Sequence, residues 1–384
     1  MKVLFVCAVN PFTFGGGAQA TRAFLDATLD IYGAKNVDVV VCSEADVPIE
    51  YNDIKFIKVP KRSKLSSFIG LFSFQLGRFA KKTYEILRDG NSNSKYDLCI
   101  FNSGRESGWA AKRLVNDHCK FVTIHHNFEV QFCMDTKLFT FGGRFPWLVR
   151  KVERDAYIYS DVNLFLTDQD LNLFRQEYGH TSAKNNVVGT FDYKSAEIIK
   201  LRDDITEYDI AISGSLSDYQ TEHGILDLCN NYLQLLKKYL PDVKILLTGR
   251  NPTATIQNVA RKAPDIFTII SSPLDIHKEV RKASFYVCPT DIGGGLKLRA
   301  MDGLKNGLPI LVNSVSARGY DYFFDKRYFK IYYDKTSFEK GLKELLEYIN
   351  ETEDYRICIN KDYYSFFGYS SGKERLEKTL KKDE

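Results

Sequence analysis

The sequence predicts an α/β protein made of two doubly wound domains that face each other across a cleft. Three observations carry this. Apolar strand-like runs alternate with segments of helical period in the order strand, loop, helix, which requires a parallel sheet with helices on both faces. The alternation occurs twice, with a join near residues 190–206. At 384 residues the chain is too long for one ordinary core and comfortable for two.

The first series starts at "KVLFVCA" and passes through "GGGAQATRAFLDATLDIYG", a loop and then a helix. "VDVVVCS", "DIKFIKVP", "KYDLCIFNS", "KFVTIHH" and "DVNLFLTD" supply further strands. The second series starts near Tyr208 with "YDIAISGSL" and continues with "VKILLTGR", "DIFTIISSP", "SFYVCPT" and "LPILVNS". The expected bounds are 1–190 for the first domain and 191–361 for the second. A helix at about 362–384 is expected to pack back on the first. In such sheets ligands bind outside the carboxyl ends of the strands, and two facing sheets make a small-molecule cleft.

Composition narrows the function. The net charge of +4 is small for this length and argues against nucleic acid as a partner. The eight cysteines form no CxxC pair, and several sit inside strand-like runs, so they read as buried apolar residues of a reducing compartment; no metal site is expected. No run approaches the ~20 apolar residues that span a bilayer, and the apolar start reads as a buried strand, not a leader. The expected location is cytoplasmic, extending to the inner face of the cell membrane. Residues 61–82, "KRSKLSSFIGLFSFQLGRFAKK", hold six basic residues and no acidic ones around an apolar centre. They fit contact with an anionic membrane as well as they fit an amphipathic core helix with a solvated flank. Residues 137–151 have the same character.

Two glycine-rich loops follow strands at equivalent places. In "TDIGGGLKLRAMDGLKNGLP", Gly293, Gly294 and Gly295 lead into a helix expected at about 296–306. Glycine lets a ligand approach the backbone closely, and a helix start attracts phosphate. Lys297 and Arg299 bring the charge to neutralise a diphosphate, and Asp302 can accept from ribose hydroxyls. In "NPFTFGGGAQATR", Gly15, Gly16 and Gly17 repeat the pattern without matching the dinucleotide fingerprint. A tight turn and a flexible connector are the plain alternatives. "TIHHNFE" places His125 and His126 at the carboxyl end of a strand, where a histidine can hydrogen-bond a substrate or position it. No GxSxG elbow supports a hydrolase.

With these residues in hand the C-terminal half resembles glycosyltransferase family four, retaining enzymes of the two-domain GT-B fold with Rossmann-like halves. The closest subtype carries GSL, GRNP and GGG(I/L)KxKxxE with GLP. Here "ISGSLSDYQTEHGI", "LLTGRNPTATI" and "GGGLKLRAMDGLKNGLPILVNSVSARGYD" stand in that order. The resemblance is good over about 207–322 and weaker over 1–190, where "GGGAQATR" and "HHNFE" are the anchors. It implies a retaining, hexosyltransferase-like enzyme that takes a UDP- or GDP-linked sugar as donor substrate, without a bound cofactor or metal. It implies Gly16, Gly17, Ser215, Arg250, Gly295, Leu296, Lys297 and Arg299 around the donor, Asp302 on the ribose and His126 at the catalytic centre, with His125 the competing candidate. A surface-loop role for Arg250 stays open.

The resemblance also implies a glycan, lipid-linked or glycoprotein acceptor and a place in polysaccharide biosynthesis. Many relatives hold the diphosphate with an Arg and a Lys where this chain has Ser215 and His223. The first of two family glutamates falls on Gly294, which removes the residue that would name the sugar. A nucleotide-sugar epimerase and a non-catalytic partner subunit stay open as alternatives.

Overall fold

The computed structural model describes residues 1–381 apart from 14, 89–94, 116, 136–144, 197 and 202–205, and leaves the side chain of residue 135 aside. Of the segment 137–151, residues 137–144 therefore lie outside the described ones. The chain divides into two compact units, Met1–Ala196 with Phe367–Glu384, and Glu197–Phe366.

The first unit holds a seven-stranded sheet, all parallel. Its strands are β1 (Val3–Val6), β2 (Val37–Cys42), β3 (Lys55–Val59), β4 (Leu98–Phe101), β5 (Lys120–His125), β6 (Val162–Phe165) and β7 (Lys184–Val187), in the order β3-β2-β1-β4-β5-β6-β7. β1, β2, β4 and β6 are buried along their whole length. This explains their continuous Val, Leu, Ile and Phe: helices cover both faces, so neither face needs polar residues. Helix Gly16–Tyr32 follows β1, and its Phe24, Leu25 and Ala27 enter the core beneath the sheet. A second cluster, Phe128, Val149, Val152, Tyr157, Phe165 and Phe174, fills the space under helices Pro146–Tyr159 and Asp168–Tyr178.

The last helix, Tyr369–Lys381, belongs to this unit and lies against helix Gly16–Tyr32. Leu376 and Leu380 join the core, Tyr369 donates to Asp30 at 2.8 Å, and Arg375 donates to the Val188 and Thr190 carbonyls.

The second unit repeats the plan with six parallel strands: β8 (Tyr208–Ser215), β9 (Ile245–Arg250), β10 (Phe267–Ser271), β11 (Ala283–Cys288), β12 (Ile310–Asn313) and β13 (Phe329–Tyr332), in the order β10-β9-β8-β11-β12-β13. Helix Lys335–Glu351 covers β12 and β13 through Phe338, Leu342 and Leu345, and starts with a capping box between Asp334 and Ser337.

In each sheet the order reverses beside the first strand, between β1 and β4 and between β8 and β11. Successive connections leave to opposite sides there and open a crevice at the carboxyl ends, the usual ligand position of open α/β sheets. β7 and β13 are edge strands that sequence reasoning did not find. "KNNV" is polar and only partly covered, and "FKIY" is four residues long.

Candidate functional site

In the second unit the reversal between β8 and β11 gathers the glycine loop and most of the expected charged residues. Ser215 ends β8, directly paired with Arg250 at the end of β9. Beyond β11 the chain runs through Thr290 and Asp291 into Gly293–Gly295, and helix Arg299–Lys305 follows. The helix is shorter than expected and starts three residues late. Leu296 and Lys297 thus belong to the loop, and Asp302, expected inside the helix, stands in its first turn. Gly293 has φ 91°, and a Cβ there would collide with Gln220, so the loop needs glycine at this point.

Lys297 is buried. Its Nζ donates to Gln220 Oε1 at 3.1 Å and to the Gly294 carbonyl at 2.9 Å, both neutral oxygens. The ammonium is thus pinned beside the glycine loop. Arg299 is differently employed: Nη2 donates to Asp218 Oδ2 at 2.7 Å, and Nη1 to Thr290 Oγ1 at 3.2 Å. It therefore ties the loop after β8 to the loop after β11. A phosphate that reaches Arg299 must compete with Asp218 for it. Gly214 makes room for this arginine, since a Cβ there would sit 2.6 Å from its Nε.

Asp302 is positioned by a buried relay. Ser213 Oγ donates to Asp302 Oδ2 at 2.7 Å and lies 2.8 Å from the Tyr286 hydroxyl, which accepts from the Ser213 N–H at 3.1 Å. With the serine proton on Asp302, the tyrosine donates to the serine oxygen. Burial and the Asp302 charge push the Tyr286 pKa far up, which keeps the relay protonated. Among the described residues Asp302 Oδ1 has no hydrogen-bond partner. Nearby, His223 Nδ1 lies 2.9 Å from Asp291 Oδ1, and Ser215 Oγ lies 3.0 Å from Ser217 Oγ. Sequence reasoning missed Gln220, Asp218, Ser213 and Tyr286. Ser213 and Tyr286 meet through the neighbouring strands β8 and β11, and Asp218 and Gln220 come in at the start of the helix after β8.

In the first unit Gly16 and Gly17 open helix Gly16–Tyr32 just after β1, and His126 follows β5. The two histidines have separate roles. His125 is fully buried: its ring stacks on Phe165 at 4.9 Å, meets Phe174 edge-on at 4.6 Å, and its Nε2 lies 2.9 Å from Asn163 Oδ1. His126 points to the other side, as alternation at a strand end requires. Its Nε2 lies 2.5 Å from Asn102 Oδ1 at the end of β4, and its ring stands edge-on to Phe24. Burial pushes both imidazoles down to about 4, so both are neutral at physiological pH. With the Asn102 oxygen facing the ring, His126 Nε2 carries the proton and Nδ1 is the acceptor. Asn102 is also buried, and its Nδ2 has no partner among the described residues.

Glu106 is another perturbed group of this unit. Its carboxyl accepts from the backbone of Arg78 and Phe79, and burial pushes it up to about 7. Among the described residues no group of three His, Cys, Asp or Glu is arranged to hold a metal ion.

Two parallel sheets of seven and six strands, each doubly wound with its crevice at the strand carboxyl ends, make this the GT-B architecture. Solved structures share it along the whole chain. Sucrose-phosphate synthase from Thermosynechococcus elongatus superposes with a TM-score of 0.70 at 12% identity, covering 100% of this chain and 99% of that one. Anabaena HepE in complex with UDP gives 0.68 at 13% identity, with 100% of both chains covered. The catalytic domain of starch synthase IV from Arabidopsis thaliana, bound to ADP and acarbose, gives 0.67 at 10% identity, with 99% of both covered. No family model and no curated protein sequence matches the chain.

Proposed function

We propose that the protein is a retaining glycosyltransferase that moves a sugar from a UDP- or GDP-linked donor to an acceptor hydroxyl of a glycan, cell-surface polymer or glycoprotein. The observation that carries this is the crevice between β8 and β11. There a buried lysine lies beside the glycine loop, and the first turn of the helix that follows carries a carboxylate held by a serine–tyrosine relay. Solved proteins of this fold include HepE with UDP and with UDP-glucose.

On this reading the Gly295–Lys297 loop and Lys297 Nζ hold the diphosphate, Asp302 accepts from the ribose hydroxyls, and Arg250 and Ser215 border the same site. The leaving nucleoside diphosphate gains negative charge in the transition state, and a cation already fixed in place stabilises it without reorganisation. His126 hydrogen-bonds the transferred sugar or positions the acceptor through its Nδ1, which Asn102 leaves bare. Turnover needs no metal and survives EDTA. The enzyme works in the cytoplasm, at the inner membrane face, with residues 61–82 in peripheral contact.

One observation favours a second reading. Arg299 is held by Asp218, which suits a non-catalytic subunit that binds nucleotide without turnover. A thermal-shift screen of nucleotides and nucleotide sugars tests the proposal. A rise in Tm with one nucleoside diphosphate and its sugar supports it; no response to any nucleotide refutes both readings.

A further inference from the structure

Helix Lys64–Phe72 in the first unit is built inside out. Leu65, Phe68, Ile69 and Phe72, spaced i, i+3, i+4 and i+7, form a single stripe, and they are 69%, 57%, 59% and 75% exposed. Such a stripe normally faces the core. Here polar groups tie the helix down instead. The Arg62 guanidinium donates to the carbonyls of Ser66, Gln75 and Gly77 and fills the space beside buried Gly70, where a Cβ would be 2.5 Å from it. Ser63 caps the first turn, accepting from the Ser66 N–H at 3.1 Å. Leu71 and Phe74 pack toward the apolar cluster of the unit, and Trp147, 57% exposed, stands edge-on to Phe74 at 6.2 Å. Arg62 thus ties the helix to the turn that follows it, with the stripe outward.

We infer that this stripe is a docking face for an anionic lipid bilayer, with the helix lying in the interface plane. Charge selects the occupant. Residues 54–84 contain eight Lys or Arg and no Asp or Glu. Lys55 pairs with Asp38 at 3.0 Å, Lys61 and Arg78 with Glu44 at 3.6 and 2.8 Å, and Lys81 and Lys82 with Glu85 at 3.8 Å, while Lys58 and Lys64 are exposed and have no ion pair among the described residues. An apolar stripe with basic flanks and a neighbouring tryptophan is the composition that settles at a headgroup boundary. A second copy meeting the same face across a two-fold axis would set like charges against each other. Among the described residues no helix is long and apolar enough to cross a membrane.

This inference deepens the proposed membrane contact through 61–82. Its test contains neither donor nor acceptor, so its failure leaves glycosyl transfer untouched. The full-length protein is floated with vesicles of phosphatidylcholine, alone or mixed with phosphatidylglycerol. Wild type is expected to float with the mixed vesicles and to stay behind with phosphatidylcholine alone or in high salt. Phe68→Ser with Phe72→Ser is expected to lower the bound fraction about tenfold or more, with the melting temperature unchanged. If the double variant melts early, Lys58→Glu with Lys64→Glu serves in its place and is expected to lose the anionic preference. Absence of wild-type binding, or equal binding by folded variants, overturns the inference. A wild-type dimer in light scattering that Phe68→Ser dissociates also overturns it and assigns the face to a second copy.

Discussion

The different employment of the two cations in the β8/β11 crevice gives the sharpest prediction. Lys297 spends hydrogen bonds on two neutral oxygens, while Arg299 is paired with Asp218 at 2.7 Å. Replacing Lys297 with Met keeps the stem and removes the charge. A hydrogen bond to a charged group contributes about 1.5–3 kcal/mol, so nucleoside diphosphate binding should weaken about 10- to 100-fold. Asp218→Asn acts in the opposite direction. It removes a carboxylate from the phosphate's surroundings and releases Arg299 from an ion pair half open to solvent. Such a pair is worth about 0.2–1 kcal/mol, so binding should tighten about two- to fivefold. Isothermal titration calorimetry on both variants and wild type reads both effects, with thermal melts to show that the folds persist. If Lys297→Met binds like wild type, or Asp218→Asn binds more weakly, the placement of the diphosphate is wrong.

Further outcomes follow from the same geometry. Gly249 has φ 146°, and a Cβ there would overlap the Gly214 carbonyl, so Gly249→Ala should cost about 3 kcal/mol or more in urea unfolding or prevent folding. His126 should stay neutral to about pH 5 in an NMR titration, and Asn102→Asp should raise its midpoint by placing a carboxylate on Nε2. Glu106 holds its proton up to about pH 7 in the folded chain and only to about 4.5 unfolded, so its contribution to stability falls as pH rises through that window. Glu106→Gln removes that term, so the variant should gain on wild type by up to about 3 kcal/mol between pH 4.5 and 7, measured by melts at each pH.

Much of this architecture was legible because parallel strands buried on both faces announce themselves as unbroken apolar runs, as in "VLFV" and "VDVVVC". The edge strands β7 and β13 escaped because an edge needs no such run. The glycine loop, Lys297 and Asp302 were legible as residue types at close spacing. What those residues do depends on partners far away in sequence. Asp218 reaches Arg299 across 81 positions, and Ser213 reaches Asp302 across 89, so neither pairing leaves a local pattern. The helix start was misplaced because Leu296 and Lys297 suit a helix by composition but serve the loop. The resemblance favours His126 over its neighbour His125, and the strand's alternation sends His125 into Phe165 and Phe174 and His126 to Asn102.

The most direct test of the proposed glycosyl transfer is acceptor-dependent release of nucleoside diphosphate from a panel of nucleotide sugars, offered with a library of oligosaccharide and lipid-linked acceptors in the presence of EDTA. Glycosyl transfer predicts that one nucleotide sugar releases its nucleoside diphosphate only when an acceptor is present, with the donor's anomeric configuration kept in the product and the rate sharply reduced in Lys297→Met. Conversion of the donor with no acceptor present, or nucleotide binding with no release under any pairing, would contradict it.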